Sequence, residues 1–148
     1  MENDIDSSLT TDVSFRIFAP NLLPEDVTKT LQLTPDYIHH QGDFPNNDPK
    51  YSPYKHGMWL LRSKVSDGEP LESHLQNLIA LLEPKRTYIS QLAQSATVDF
   101  YCVLYSQNGF QIPPNVLQRI GNLGATFGVI LYPDTGQSQQ SVTGSDVG

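Results

Sequence analysis

The chain has 148 residues, and its 16 acidic against 9 basic side chains give a formal net charge of −7. Because nucleic-acid binding draws most of its affinity from clustered Lys and Arg, we expect no nucleic-acid partner. The lone cysteine, Cys102, excludes an internal disulfide, and the longest apolar run is too short to span a bilayer, so we expect no membrane partner.

The two ends of the chain lack sustained hydrophobic periodicity. Residues 1–11 carry acidic side chains among serines and threonines, and residues 133–148 are rich in Gly, Ser and Gln. We expect both to be disordered tails around one domain at residues 12–132. No charged-then-apolar signal peptide opens the chain, and a reducing compartment suits a lone cysteine, so we expect a cytoplasmic protein.

A strand, a polar loop and a proline-initiated helix occur in this order twice, at residues 13–33 and 98–123. Each strand alternates apolar and more polar positions, the period of a strand with one buried face. Cys102 occupies an inward position in the second strand and is expected to be a buried hydrophobe. Pro24, and then Pro113 or Pro114, stand where a helix begins, because proline at the first helical position loses no intrahelical hydrogen bond.

The elements between and after these two units follow from the same patterns. A short strand at residues 37–40 is followed by a loop at residues 41–56 and a second strand at residues 57–63. Leucines from Leu71 to Leu82 form one helical stripe, which Pro84 ends, and a further helix covers residues 85–94. The final strand, residues 125–132, is apolar on both faces, so we expect it inside the sheet and not at its edge.

Written out, residues 13–105 read strand, helix, strand, strand, helix, strand, and a further helix and strand follow. This is the ferredoxin-like βαββαβ order with an appended αβ unit. We therefore expect an α+β fold, with a mostly antiparallel sheet and helices packed on one face. The other face is then free for binding, and Arg16 and Tyr101 lie at positions that face it.

The sequence contains no nucleophile elbow, P-loop or dinucleotide-binding motif, so we lean against an enzyme and expect no cofactor. The residues best suited to chemistry are His39 or His40 with Asp43 and His56, because histidine and carboxylate side chains commonly bind metals. Adjacent strand residues point to opposite faces, however, so His39 and His40 do not readily share one ion. A metal-dependent hydrolase or metal sensor remains an alternative function, with His40, Asp43 and His56 as candidate ligands.

The leading hypothesis is a non-catalytic module that binds a protein or a small ligand through the 41–56 loop and the neighbouring sheet surface. Loops of this length without secondary structure are often functional, and Gly42 and Gly57 flank it where the backbone must turn. Trp59 is either a core residue or an anchor for the ligand. A structural subunit that forms homo-oligomers through edge strands is a further alternative. The candidate contact residues are Tyr51, Tyr54, His56, Trp59, Arg16 and Tyr101.

A series of short motifs runs along the chain in a distinctive order and spacing. They are FRIF at 15–18, PE at 24–25, QGD at 41–43, GMWLL at 57–61, LEP at 82–84, CVLYS at 102–106, GF at 109–110 and LY at 131–132. Together they resemble the bacterial family called domain of unknown function 4279. The resemblance covers nearly everything between the two tails. It implies a small single-domain bacterial protein, and it implies no activity for any residue.

Overall fold

The computed structural model describes residues 11–105 and 109–132. The predicted tails lie outside the described residues, except that Thr11 already belongs to the first strand. In chain order the elements are β1 (Thr11–Ala19), α1 (Pro24–Leu31), β2 (Tyr37–His39), β3 (Gly57–Arg62), α2 (Leu71–Leu82), α3 (Arg86–Leu92), β4 (Thr97–Leu104), α4 (Pro114–Asn122) and β5 (Thr126–Leu131). A 3-10 turn lies at Glu83–Lys85, and a turn with left-handed asparagines lies at Pro45–Asn47.

The five strands form one mixed sheet in the order β2-β3-β1-β4-β5. β1 is antiparallel to both of its neighbours, β2 is antiparallel to β3, and β5 is parallel to β4. The α+β prediction is therefore confirmed. The prediction that the last strand lies inside the sheet is wrong, because β1 already occupies the inner side of β4 and leaves β5 only the outer side.

The central strand β1 carries the core on one of its two faces. Phe15 lies in register with Leu61 of β3 and Phe100 of β4, and all of these side chains are buried. The rings of Phe15 and Phe100 have centroids 5.2 Å apart. Apolar side chains from all four helices join the same buried cluster. Cys102 belongs to it as well, and burial raises the pKa of its thiol to about 12, so the thiol stays protonated.

Prolines and apolar stripes define the helices as predicted. Pro24 and Pro114 occupy the first turns of α1 and α4. α1 ends at Leu31, and the next residue, Gln32, adopts a left-handed conformation at φ 58° and donates its N–H to the Thr28 carbonyl. α2 ends at Leu82, just before a 3-10 turn that contains Pro84. Among residues 11–105 and 109–132, no helix combines the length and the apolar character needed to cross a bilayer.

The opposite face of the sheet carries a different set of side chains. Arg16 of β1 lies in register with Leu60 of β3 and Asp99 of β4, and Phe18 lies in register with Met58. None of these residues belongs to the buried cluster that the helices cover. The face that bears Arg16 is therefore separate from the core, and the 41–56 loop reaches it at the β2 end.

Gly57 ends the 41–56 loop, and its lack of a side chain is required for packing. A Cβ at this position would lie 2.2 Å from the Leu22 carbonyl oxygen. By contrast, Gly42 at the start of the loop turns the backbone with φ +93°. The expectation of a turn-forming glycine thus holds for Gly42, whereas Gly57 allows the β1–α1 connection to approach β3.

We expect Gly57→Ala to destabilise the fold by about 1–3 kcal/mol, because the added methyl group must displace backbone. The measurement is urea unfolding followed by circular dichroism. Gly68→Ala is the matched control, since a Cβ at Gly68 meets nothing within 4 Å. Equal stability of the two variants would contradict the close approach at Gly57.

Candidate functional site

The 41–56 loop is closed on itself by backbone hydrogen bonds. The Gly42 N–H donates to the Tyr54 carbonyl at 2.9 Å, and the Tyr54 N–H donates to the Asp43 carbonyl at 2.8 Å. Between these ends, the Pro45–Asn47 turn and a bond from the Tyr51 N–H to the Asp48 carbonyl reverse the chain. The loop is therefore a compact surface element whose ends lie together.

Tyr54 packs the closed loop against strand β2. Its ring stacks on the His39 ring with 3.6 Å between centroids and 4° between planes. The Tyr37 hydroxyl lies 2.7 Å from His39 Nδ1 and donates to the Tyr54 hydroxyl at 3.3 Å. Tyr37 and His39 are two residues apart on a strand, so their side chains share one face, whereas Ile38 points toward the core. This geometry leaves His39 only 6% exposed.

His56 extends the aromatic cluster onto β1. Its ring centroid lies 5.1 Å from that of Phe18 and 5.6 Å from that of His39. His39 Nε2 and His56 Nδ1 are buried, and neither has a hydrogen-bond partner among the described residues. Burial, followed by the charge of His56, lowers the pKa of His39, so His39 is neutral at pH 7.

His40 points away from this cluster and joins the loop to α1. Its Nε2 bonds to the Glu25 carboxylate in the first turn of α1, and its Nδ1 lies 3.5 Å from the Asp43 carboxylate. The hydrogen bond with Glu25 raises the pKa of His40. The His40 backbone N–H, which donates to Asp43 at 2.8 Å, lowers the pKa of Asp43. These contacts link the start of the loop to the helix side of the molecule.

Arg16 forms a second polar centre further along the sheet face opposite the core. Its Nε and Nη2 donate to the two Asp99 carboxylate oxygens at 2.9 and 2.7 Å. The guanidinium lies 4.1 Å from the Tyr101 ring centroid and 5.1 Å from that of Phe18. The hydrogen bond with Asp99 raises the pKa of Arg16, and the paired side chains are only 21% and 14% exposed. Phe18 connects this centre to the His39 cluster.

A cleft with a volume of about 320 Å³ lies between β2 and the loop. Its lining includes aromatic rings, a carboxylate and an amide, contributed by Tyr37, His39, Asp43, Phe44, Asn47 and Tyr54. Neither Lys nor Arg lines it. Asn46 and Asn47 both have left-handed backbone conformations, at φ 55° and 57°, which asparagine tolerates better than most residues.

The structure distributes the predicted contact residues other than Trp59 over three places. Tyr54 and His56 join the cluster beside β2, whereas Arg16 and Tyr101 form the neighbouring centre. Tyr51 is 45% exposed, and its ring contacts the Lys50 ammonium at 5.2 Å, away from the cleft lining.

The assignment of Trp59 as a contact residue needs correction. Trp59 is fully buried on the helix side of the sheet, and its Nε1 donates to Thr28 Oγ1 of α1 at 2.9 Å. Its register with Ile17 places it on the core face. The indole is therefore a core anchor whose polar atom bonds to a helix.

The candidate metal ligands are held by other contacts. His40 and Asp43 pair with each other and Glu25, whereas His56 belongs to the stacked cluster. Within the part of the chain that the structure describes, no group of three or more His, Cys, Asp or Glu is arranged to hold a metal ion.

Sequence reasoning placed the binding surface in the 41–56 loop, which contains Phe44 and Asn47, but it named neither of them, nor Tyr37 of β2, as a contact residue. The alternation in β2 pairs Tyr37 with His39 and was a usable signal. Phe44 and Asn47 had no such signal, because the fold of the loop depends on its own hydrogen bonds.

The family model for the domain of unknown function DUF4279 matches residues 8–134. The chain therefore belongs to this family, as its motifs led us to expect. A search of curated proteins and a search of solved structures each found no match.

We expect Tyr54→Ala to speed hydrogen exchange at the Gly42 amide by about tenfold, because the loop loses its stacking contact with β2. The measurement is amide exchange followed by NMR. Tyr51→Ala is the control, since it removes an exposed tyrosine side chain from the same loop and leaves the stack intact. Equal acceleration in both variants would show that the stack does not hold the loop.

We expect Glu25→Gln to lower the pKa of His40 toward its ordinary value of 6.5. A raised histidine pKa stabilises the folded state below the ordinary pKa, and this contribution is lost as pH rises through the raised value. The substitution should therefore destabilise the protein more at about pH 6 than at about pH 9. NMR titration of the imidazole and urea unfolding measure the two effects.

Glu72→Gln is the control for this titration. Glu72 also lies in the first turn of a helix, but it accepts a hydrogen bond from Gln76. An unchanged His40 midpoint in Glu25→Gln, or an equal shift in Glu72→Gln, would contradict the assigned pairing.

Proposed function

We propose that this protein is a non-catalytic binding module. Its recognition site is the cleft between β2 and the 41–56 loop, together with the adjoining sheet face that carries Arg16 and Tyr101. The observation that carries the proposal is the stack of Tyr54 on His39, because it makes the loop part of a preformed surface. A preformed site binds with less loss of conformational entropy than a loop that must first become ordered.

The protonation states of the polar groups favour binding over catalysis. Burial raises the pKa of Tyr37, so its hydroxyl remains a hydrogen-bonding group and is a poor nucleophile. The Cys102 thiol is protonated and buried in the core. The guanidinium of Arg16 is already paired with Asp99, in a contact that orders the sheet face.

We also infer that the fold is a ferredoxin-like sheet extended by one strand. The supporting observation is the arrangement of the first four strands, in which β1 lies between β3 and β4, β2 lies beyond β3, and every pairing is antiparallel. β5, reached through α4, adds a parallel strand beside β4. The extension leaves the β2 side of the sheet, where the cleft lies, at one edge.

A larger cavity competes with this site. It has a volume of about 600 Å³, and its lining includes Glu69, Leu71, Leu104 and Phe110. We favour the smaller cleft because the Tyr54–His39 stack and the backbone hydrogen bonds of the loop hold its walls in place.

Fragment screening by NMR tests the proposal with the full chain. A library of chemically diverse small molecules is titrated against isotope-labelled protein, and amide shifts are mapped onto the sequence. We expect binders to shift the amides of residues 42–47 and 54 more strongly than those of residues 68–72 and 109–111. Tyr54→Ala should abolish these shifts, and Tyr51→Ala should preserve them.

Two outcomes would overturn this proposal. Binders that map only to the larger cavity would move the site, and a library without any binder at the cleft would remove it.

Metal analysis of untagged protein addresses the metal alternative, because stoichiometric zinc, manganese or nickel would favour a metal-dependent function. Mass measurement in solution addresses the homo-oligomeric subunit, for which the exposed Leu131 and Tyr132 near the β5 edge are the relevant surface.

A further inference from the structure

The cleft beside β2 brings three aromatic residues together with a carboxylate. Tyr37, Phe44 and Tyr54 contribute aromatic side chains to its lining, and Tyr37 and Phe44 are exposed to solvent. Aromatic faces carry negative electrostatic potential and attract ammonium groups within about 6 Å of the ring centre. Such rings bind alkylated ammonium groups well, because methyl groups contact the ring while the charge remains close to it.

The charges around the cleft favour the same kind of ligand. Asp43 lines the cleft, and Glu25 lies on the other side of His40, so two carboxylates flank one imidazole. The net charge of Asp43, Glu25 and His40 is negative even when His40 is protonated. The imidazole of His39, which also lines the cleft, is neutral because burial lowers its pKa.

The Lys50 ammonium does not offset the negative charge of Asp43, because its contacts lie elsewhere in the loop. The Lys50 ammonium lies 3.8 Å from the Asp48 carboxylate and over the Tyr51 ring, outside the cleft lining. With a net charge of −7, the whole chain also attracts cations at long range. An anionic ligand would meet repulsion from Asp43 and no compensating Lys or Arg in the lining.

The size of the cleft limits the ligand to a small group. Its volume of about 320 Å³ lies near the lower end of the range for ligand pockets, about 300–1,000 Å³. A trimethylammonium head or a methylated amine matches this scale, whereas a folded protein surface does not. The amide of Asn47 supplies a polar group for a hydroxyl or carbonyl beside the charge.

We propose that the cleft binds an alkylated ammonium group, with Tyr37, Phe44 and Tyr54 as its aromatic walls and Asp43 as its counter-charge. This inference rests on the proposed function, since it names the ligand class of the same site. It assigns separate roles to the residues: the rings contact the alkyl groups, and the carboxylate selects for positive charge.

The test compares choline with 3,3-dimethyl-1-butanol, a neutral molecule of nearly the same shape. Each is titrated into the full chain, and amide shifts of residues 42–47 and 54 are followed by NMR. We expect saturable shifts with choline at millimolar concentration and at least about tenfold weaker binding of the neutral molecule. Glucose serves as a third probe, because aromatic clefts with amides also suit neutral sugars.

Two substitutions separate the contributions of charge and ring. Asp43→Asn keeps an oxygen for the His40 N–H and removes the charge, and it should weaken choline binding at least about fivefold while sparing the neutral molecule. Phe44→Leu keeps an apolar side chain without the aromatic face and should weaken choline binding similarly. Asp48→Asn makes the same charge change in the same loop outside the cleft lining and should leave choline affinity within about twofold.

The outcomes distinguish this inference from the proposed function. Equal affinity for choline and its neutral counterpart, or tighter binding of glucose, would overturn the cation inference while the cleft remained a binding site. Absence of choline shifts at the cleft would also overturn it, and fragments that still bind there would preserve the proposed function. If neither choline nor any fragment shifts the cleft residues, both proposals fail.

Discussion

The period-two alternation of β1 governs the rest of the molecule, because this strand is paired on both sides. Its inward residues belong to the core, so its outward residues lie on the opposite face of the sheet. Arg16 is one of these outward residues. The cross-strand carboxylate of Asp99 satisfies its charge through two hydrogen bonds, and the rings of Phe18 and Tyr101 flank the guanidinium. Removing either charged partner would leave the other half-buried and unpaired, which is more destabilising than losing an exposed pair.

At the β2 end of that face, the 41–56 loop covers the polar side chain of His39. Tyr54 covers His39, and the clamp between Gly42 and Tyr54 holds the loop in place. The Tyr37 hydroxyl lies 2.7 Å from His39 Nδ1, so the imidazole has a hydrogen-bonding neighbour beneath the stacked ring. The stack and the backbone hydrogen bonds together make the loop part of the folded surface of β2.

Local rules predicted the elements well and their long-range partners less well. Alternation and proline placement identified β1, α1 and α2 close to their observed bounds, and the opposite directions of His39 and His40 followed from strand geometry. The edge position of β5 was missed because apolar residues on both faces suggest burial, whereas strand order depends on which side of β4 is vacant. The pairing of His40 with Glu25 was also missed, because fifteen residues separate them and nothing local brings α1 to the loop.

The position of the cleft also determines which experiments are informative. β2 is an edge strand of three residues, and the loop that forms the cleft begins beside it and packs over its side chains. The loop therefore both covers the His39 side chain of this edge strand and forms the walls of the proposed site. Deleting the loop would remove the walls of the proposed site and expose His39 in one step. Loss of binding in such a variant would not distinguish recognition from aggregation, whereas the charge of Asp43 and the ring of Phe44 can each be changed while the clamp and the stack remain.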